Sequence, residues 1–165
     1  MKKTVILFGI GMGLSASSFA SLWAVTSTLD GISEVPPNAS PAVGVVAGIY
    51  DDVTNTLTMD TSASGLLGPS TAAHIHTGAP GTSGAVLFPL TGTVGSTTYL
   101  SHDVFVLTDA SELDLLGGML YVNVHSTVFP GGEIRGQLAA STVPEPASLA
   151  VLGFGALAML KRRKR

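Results

Sequence analysis

Three histidines, His74, His76 and His125, are the residues whose types and spacing could bind a metal ion. His74 and His76 are separated by one residue, and in a β-strand two such residues share a face about 6.6 Å apart. Three neutral imidazoles form a ligand set that suits Cu(II) or Zn(II). Alternatively, all three are polar residues of a sheet face that bond backbone carbonyls of neighbouring Gly-rich loops. The spacing alone leaves both interpretations open.

The strand that carries His125 must lie beside the strand of the other two histidines if the three side chains are to meet. Val122 and Val124 take the apolar face of that strand. Tyr121, Asn123 and His125 therefore take the other face. Cβ atoms directly opposite each other on neighbouring strands are about 5 Å apart. Adjacent strands would thus bring the three imidazoles close enough to share one ion.

Arg135 is the one basic residue between positions 21 and 143, where ten acidic residues leave a formal charge of −9. This excess of negative charge argues against nucleic acid or an anionic lipid surface as partner of the region, because both are polyanionic. Calcium or a basic partner would suit it better. Arg135 is predicted to be a structural cation that pairs with Glu133 or with a loop carboxylate.

Other residue groups are weaker candidates for chemistry. Asp51, Asp52 and Asn55 could bind Ca²⁺, but they lack the spacing of an EF-hand loop and are typical of a hairpin turn. The sequence contains no Gly-x-Ser-x-Gly elbow to present a nucleophile, and no acidic pair lies in a recognisable glycosidase context. We therefore predict no catalytic residues and a protein that is not an enzyme.

Short apolar runs that alternate with Ser, Thr and Gly fill the middle of the chain, which is the period-two pattern of half-buried strands. Asp109 as N-cap and Glu112 three residues later predict a capping box that opens one short helix. The chain has no cysteine, so its core alone must hold the fold. We predict a mainly β, single Greek-key β-sandwich or barrel with one short helix. The eight predicted strands span residues 22–29, 43–50, 56–63, 71–76, 85–90, 97–107, 120–125 and 133–138.

The first twenty residues are typical of a secretory signal peptide. Lys2 and Lys3 precede an apolar run, and Ser18-Phe19-Ala20 places small residues before a cleavage point. We predict a signal helix over residues 1–20 that is removed by cleavage after Ala20. The domain then spans residues 21–138.

The C-terminal residues have three parts, namely Val143-Pro144-Glu145-Pro146, an apolar run from Ala147 to Leu160, and five cations at 161–165. A helical run of this length spans about 21 Å, which is short for a permanent membrane anchor. The cations would stay in the cytoplasm. The three parts together resemble the PEP-CTERM sorting signal of Gram-negative, biofilm-forming bacteria. The resemblance implies a linker with the Pro-Glu-Pro motif at 139–146, a hydrophobic transmembrane helix and basic tail at 147–165, and processing by the membrane enzyme exosortase.

Several motifs follow one another through the body of the chain. They are Leu29-Asp30-Gly31, Glu34-Val35-Pro36-Pro37, Thr54-Asn55-Thr56-Leu57-Thr58, Ala72-Ala73-His74-Ile75-His76-Thr77-Gly78-Ala79-Pro80-Gly81, Tyr121-Val122-Asn123-Val124-His125 and Pro130-Gly131-Gly132-Glu133-Ile134-Arg135-Gly136-Gln137-Leu138. In this order, from about residue 26 to residue 138, they resemble the CHRD domain, a family named after chordin and widespread in bacterial secreted proteins. The resemblance implies an extracellular β-sandwich and no particular reaction.

A more distant resemblance concerns the same histidines. His-x-His, followed by Val-x-Val-His and Gly-x-x-Arg-Gly, is similar to copper/zinc superoxide dismutases, in which the histidines ligate copper and the arginine guides the anion. The resemblance points to His74, His76, His125 and Arg135, and to a superoxide-dismutase-like or immunoglobulin-like fold. Only His102 lies between the first two histidines and the last, and the cysteine pair is missing. Dismutase activity is therefore not expected.

These features predict an exported, non-enzymatic surface or extracellular-matrix protein whose domain binds an unknown ligand. Its partners would be the secretory machinery and exosortase, the inner membrane for a short time, and a matrix polysaccharide or a surface protein, but not nucleic acid. It would end at the cell surface or outside the cell, with no required cofactor. The alternative is a periplasmic or surface protein with one copper or zinc ion bound by His74, His76 and His125.

Overall fold

The computed structural model describes residues 21–144, which form nine β-strands and one α-helix. The strands are β1 (Leu22–Asp30), β2 (Val43–Asp51), β3 (Thr56–Ser64), β4 (Ser70–Thr77), β5 (Val86–Pro89), β6 (Tyr99–Val106), β7 (Leu120–Ser126), β8 (Ile134–Gln137) and β9 (Ala139–Thr142), and the helix is α1 (Asp109–Leu116). The predicted mainly β fold with one short helix is confirmed. The predicted signal helix, the cleavage point at Ala20 and the C-terminal hydrophobic helix lie outside the described residues.

The described part of the chain contains no helix with the length and apolar character needed to cross a lipid bilayer.

The strands belong to one antiparallel sheet that curls into a nearly closed barrel. Its order is β5-β4-β7-β8-β1-β2-β3-β6, and β9 also pairs with β1. The two ends of this order meet, because Thr93, just after β5, donates its backbone N–H to Leu100 O of β6 at 3.3 Å. The Asp103 carboxylate of β6 also accepts bonds from Thr91 N and Oγ1 at 2.9 and 2.6 Å. Since β6 and β7 are consecutive but not neighbours, the connection is that of a Greek key.

The barrel interior is filled by the alternate side chains that the period-two pattern places there. Ile75 of β4, Val122 and Val124 of β7, and Ile134 of β8 are completely buried on this inner face. Their neighbours in sequence therefore point to the other side of the same three strands. We call that side the polar face; it carries His74, His76, Tyr121, Asn123, His125, Arg135 and Gln137.

The β2–β3 connection is a turn stabilised by its own side chains, as its composition predicts. The Asp51 carboxylate accepts bonds from Val53 N and Thr54 N at 2.9 and 3.2 Å. Asn55 has a φ of 53°, which asparagine tolerates better than most residues. The turn-forming role of these residues is thus confirmed.

Helix α1 begins one residue earlier than the predicted capping pattern. Its N-cap is Thr108, whose hydroxyl accepts the Ser111 backbone N–H, and Ser111 Oγ accepts the Thr108 N–H in return. The prediction of Asp109 as N-cap with Glu112 as its partner is therefore wrong. Both acidic residues lie in the first helical turn, where negative charge is favoured.

Strand β9 lies within the segment that the sequence indicated as a linker. Its residues pair with β1 from Thr26↔Ala139 to Trp23↔Thr142, and Val143 N then donates to Leu22 O at 2.8 Å. β8 pairs with β1 only at Asp30. Without β9, this half of β1 would have unpaired backbone groups, so hydrogen bonding explains why four small residues form a strand.

Candidate metal centre

Strands β4 and β7 are neighbours, which is the arrangement that the three histidines require. Their antiparallel register places His74 opposite Asn123, His76 opposite Tyr121, and His125 opposite Ala72. His125 is therefore diagonal to His74 on the same face. The predicted adjacency of the two strands is confirmed.

The three imidazoles form a compact cluster. His74 Nδ1 is 3.0 Å from His125 Nε2, and one nitrogen from each of the three rings lies within 4.8 Å of the others. A tetrahedral zinc ion with bonds of about 2.0–2.1 Å separates its ligand atoms by about 3.4 Å. The His74–His125 pair, at 3.0 Å, is already close to that separation.

Two of the rings are oriented by backbone carbonyls. His76 Nδ1 is 3.0 Å from Gly84 O, and His125 Nδ1 is 3.0 Å from Pro130 O. A carbonyl can only accept, so each Nδ1 carries the proton and each Nε2 keeps a lone pair, which in His125 accepts the Nδ1–H of His74. Metal-ligating histidines are commonly held by such a bond from the second ring nitrogen. The carbonyl contacts expected of polar residues on a sheet face thus also orient these rings as metal ligands.

The environment favours the neutral form of His74 and His125. Burial lowers the pKa of His74, and the neighbouring His76 lowers it further. Burial likewise lowers the pKa of His125; the bond to Pro130 O partly opposes this effect, and His74 and His76 add to it. Neutral rings do not have to lose a proton before they bind a metal ion. His76 Nε2 is also buried and has no hydrogen-bond partner among the described residues.

Tyr121 supports the cluster from one side, a role that sequence reasoning missed. Its ring stacks on His76 with centroids 4.9 Å apart and an angle of 7° between the planes. Its hydroxyl accepts the Gly84 backbone N–H at 3.1 Å, so it fixes the residue whose carbonyl orients His76. The alternation along β7 placed Tyr121 on the correct face, but no local signal indicated its contact with a loop 37 residues away.

Arg135 stacks on the opposite side of the Tyr121 ring, with Cζ 3.4 Å from the ring centroid. It is 2% exposed, and Nη2 donates to Ala79 O at 3.3 Å. Within residues 21–144, no carboxylate oxygen lies within 4.0 Å of an Arg135 side-chain nitrogen, which is the distance of an ion pair. The predicted pairing with Glu133 is therefore wrong, because Glu133 Oε1 instead accepts bonds from Ser40 Oγ and Leu67 N at 2.6 and 2.7 Å.

One loop covers much of the polar face, and we call residues 78–84 the covering loop. Gln137 Nε2 donates to Gly78 O at 2.8 Å, Arg135 donates to Ala79 O, and His76 and Tyr121 bond Gly84. These contacts explain why Tyr121 and Arg135 are buried although they lie outside the barrel interior.

His102 is the histidine that stays apart from the cluster. It lies on β6, opposite Asp60 of β3, and its Nδ1 is 2.7 Å from Asp60 Oδ1. Both side chains are mostly exposed, at 65% and 71%. The pair contributes nothing to the metal cluster, but it provides a histidine for matched control experiments.

Comparison with known protein families gives two matches, which cover different parts of the chain. The CHRD domain model matches residues 25–138, and the PEP-CTERM protein-sorting motif matches residues 142–165. No curated protein and no solved structure matches the chain. The sorting motif includes Val143, Pro144, Glu145 and Pro146 and implies processing by exosortase and export to the cell surface or extracellular space. The chain therefore belongs to the CHRD domain family and is an exported protein that carries a PEP-CTERM sorting signal.

Proposed function

We propose that the protein is a non-enzymatic surface or matrix component whose CHRD domain binds one Cu(II) or Zn(II) ion through His74, His76 and His125. The observation that carries the proposal is the position of three imidazole nitrogens within 4.8 Å of one another. Gly84 O and Pro130 O support it, because they accept the Nδ1 protons and leave a lone pair on Nε2 of His76 and of His125. A metal ion would replace the hydrogen bond that His125 Nε2 accepts from His74 Nδ1.

The proposed site is mononuclear and has room for another ligand. Three protein ligands leave one position of a tetrahedral ion open to water or to a small molecule. Within residues 21–144 the histidine cluster is the only group of three or more metal-binding side chains. The chain therefore offers little support for a two-metal site of the dismutase type, and we propose metal binding without that reaction.

Metal titration of the purified protein tests the site. We expect one Zn(II) or Cu(II) ion per chain and a metal-dependent rise in melting temperature. His76→Ala should weaken binding by more than about 100-fold, which exceeds the usual effect of residues that only support a ligand. His102→Ala is the matched control and should leave the affinity unchanged, since His102 pairs with Asp60 away from the cluster. Wild-type protein that binds no ion and gains no thermal stability would refute the proposal.

We further propose that the protein is held briefly in the inner membrane by residues 147–165 before exosortase cleaves it near Pro144–Pro146. The match of residues 142–165 to the sorting motif supports this order of events. Mass spectrometry of the extracellular fraction should then find a C-terminus within the Pro-Glu-Pro element. An intact Lys-Arg tail on the extracellular protein would contradict it.

The exported domain would then bind a matrix polysaccharide or another surface protein. The export signal supports this role, because it delivers the domain to the place where such partners lie. Immobilised protein incubated with native matrix should retain one defined polysaccharide or protein, and its identity decides between the two. Retention of neither would remove partner binding from the proposed function.

A further inference from the structure

Arg135 lies at the floor of an open cavity that is separate from the histidine cluster. The cavity has a volume of about 330 Å³, and the Tyr121 ring stands between the guanidinium and His76. Four of its nine lining residues have apolar side chains, namely Ile32, Val35, Pro37 and Pro80. A cation beneath apolar walls suggests a ligand with an acidic group on an apolar body.

The guanidinium has a donor without a partner. Nη2 donates to Ala79 O at 3.3 Å, and the flat face of the group packs on Tyr121. Nη1 is buried and has no hydrogen-bond partner among the described residues. Because an unpaired N–H of a buried charged group is unfavourable, an acceptor supplied by a ligand would be favoured there.

Glu34 lines the same cavity and limits which ligands fit. Its side chain is 5% exposed, Oε2 accepts the Val35 N–H at 3.2 Å, and Oε1 has no hydrogen-bond partner within residues 21–144. Burial raises the pKa of the Glu34 carboxyl, although Val35, Arg135 and Asn123 each oppose the shift. A protonated Glu34 offers a second donor, whereas an ionised Glu34 competes with an anionic ligand for Arg135.

We propose that this cavity is a binding site for a single carboxylate group, which the Arg135 guanidinium holds. A planar carboxylate matches the donors of a guanidinium. Dianions such as phosphate fit less well, because Arg135 is the one cation against ten acidic residues between positions 21 and 143. The apolar walls would contact the rest of the molecule.

Propionate is the simplest probe of the site. The exported protein is kept metal-free with a chelator, so that the carboxylate cannot bind through an ion at the histidines. Backbone amide NMR shifts of Gly81 and Gln137, which line the cavity, are followed during titration with sodium propionate and, as controls, sodium chloride and phosphate. We expect saturable shifts at about 1–10 mM propionate. No saturation, or equal saturation with phosphate, would overturn the proposal.

Glu34→Gln distinguishes a ligand site from an internal charge pair. The substitution keeps the size of the side chain, adds an amide donor and removes the competing charge, so propionate should bind about tenfold more tightly. If Glu34 is instead the permanent partner of Arg135, the variant should lose thermal stability without any gain in affinity. That result would overturn the proposal.

Gly81 offers a matched pair of variants at the rim of the cavity. It has a φ of 76°, and a Cβ added there meets no atom within 4 Å. Asp and Asn tolerate this conformation about equally and differ in charge, so Gly81→Asp should weaken propionate binding about tenfold relative to Gly81→Asn. Equal affinities of the two variants would contradict the site.

Glucuronate and the α-methylamide of N-acetylaspartate, each with one carboxylate, can then be titrated in the same way. They distinguish a sugar acid from an acidic side chain as the source of the carboxylate, and saturable binding of either supports the site. Failure of both, together with failure of propionate, would overturn it while leaving the metal proposal intact.

Discussion

Replacement of Tyr121 by phenylalanine tests whether the polar face prepares its histidines for metal binding. The hydroxyl of Tyr121 accepts the Gly84 N–H at 3.1 Å, and Gly84 O accepts the Nδ1 proton of His76 at 3.0 Å. Tyr121→Phe removes the first bond and leaves the ring stack in place. One lost hydrogen bond should lower the free energy of unfolding by about 1 kcal/mol, or about 4 °C in melting temperature. A loosened Gly84 should also weaken zinc binding by about tenfold, the effect typical of residues that orient a ligand.

Tyr99→Phe is the matched control for this experiment. Tyr99 lies on strand β6, which carries none of the three clustered histidines. It is as deeply buried, and its hydroxyl accepts a backbone N–H from Gly92 at 2.9 Å. Both variants should lose similar stability in urea unfolding, but only Tyr121→Phe should lose zinc affinity in competition with a chromophoric chelator. If zinc affinity is unchanged in Tyr121→Phe, or falls equally in Tyr99→Phe, the orientation of His76 through Gly84 is not what prepares the site.

Two further predictions concern stability. Because burial lowers the pKa of His74 and His125 in the folded state, the unfolded chain takes up protons first as the pH falls through about 6.5. The stability that these neutral rings contribute to the metal-free protein is therefore present above that pH and lost below it. Urea unfolding at several pH values should show this fall in the free energy of unfolding. A His125→Gln variant should show a smaller fall. A chain that stops after Leu138 lacks β9 and should be less stable than one that stops after Val143 by about 2–3 kcal/mol, from the lost backbone hydrogen bonds with β1. Equal unfolding midpoints of the two chains would show that β9 adds nothing.

The sequence predicted most of the barrel, because alternation along each strand depends on local side chains. Each of the first eight strands begins and ends within two residues of its predicted range. β9 was missed because Ala139–Thr142 shows no apolar alternation and is held by backbone pairing with β1. The helix cap was misplaced because Thr108, one residue before Asp109, is also a good N-cap residue.

The sequence predicted which side chains of the candidate site share one face of the sheet, but not the loop contacts that orient them. Spacing placed His74, His76 and His125 on one side of two strands, and the structure brings them together. The carbonyls that orient them belong to Gly84 and Pro130, in loops whose paths depend on the whole fold. The predicted partner of Arg135 was wrong for the same reason, because Glu133 accepts hydrogen bonds from Ser40 and Leu67, which are distant in sequence.

The bond between Val143 N and Leu22 O has a consequence for how the protein is processed. Both ends of the body leave the barrel side by side, at one pole, where Trp23 pairs with Thr142. On the proposed processing, the cleavage after Ala20 and the cleavage near Pro144–Pro146 would both fall within a few residues of this pole. A domain held at the membrane by its C-terminal end, as we propose, would place the opposite pole of the barrel farthest from the bilayer.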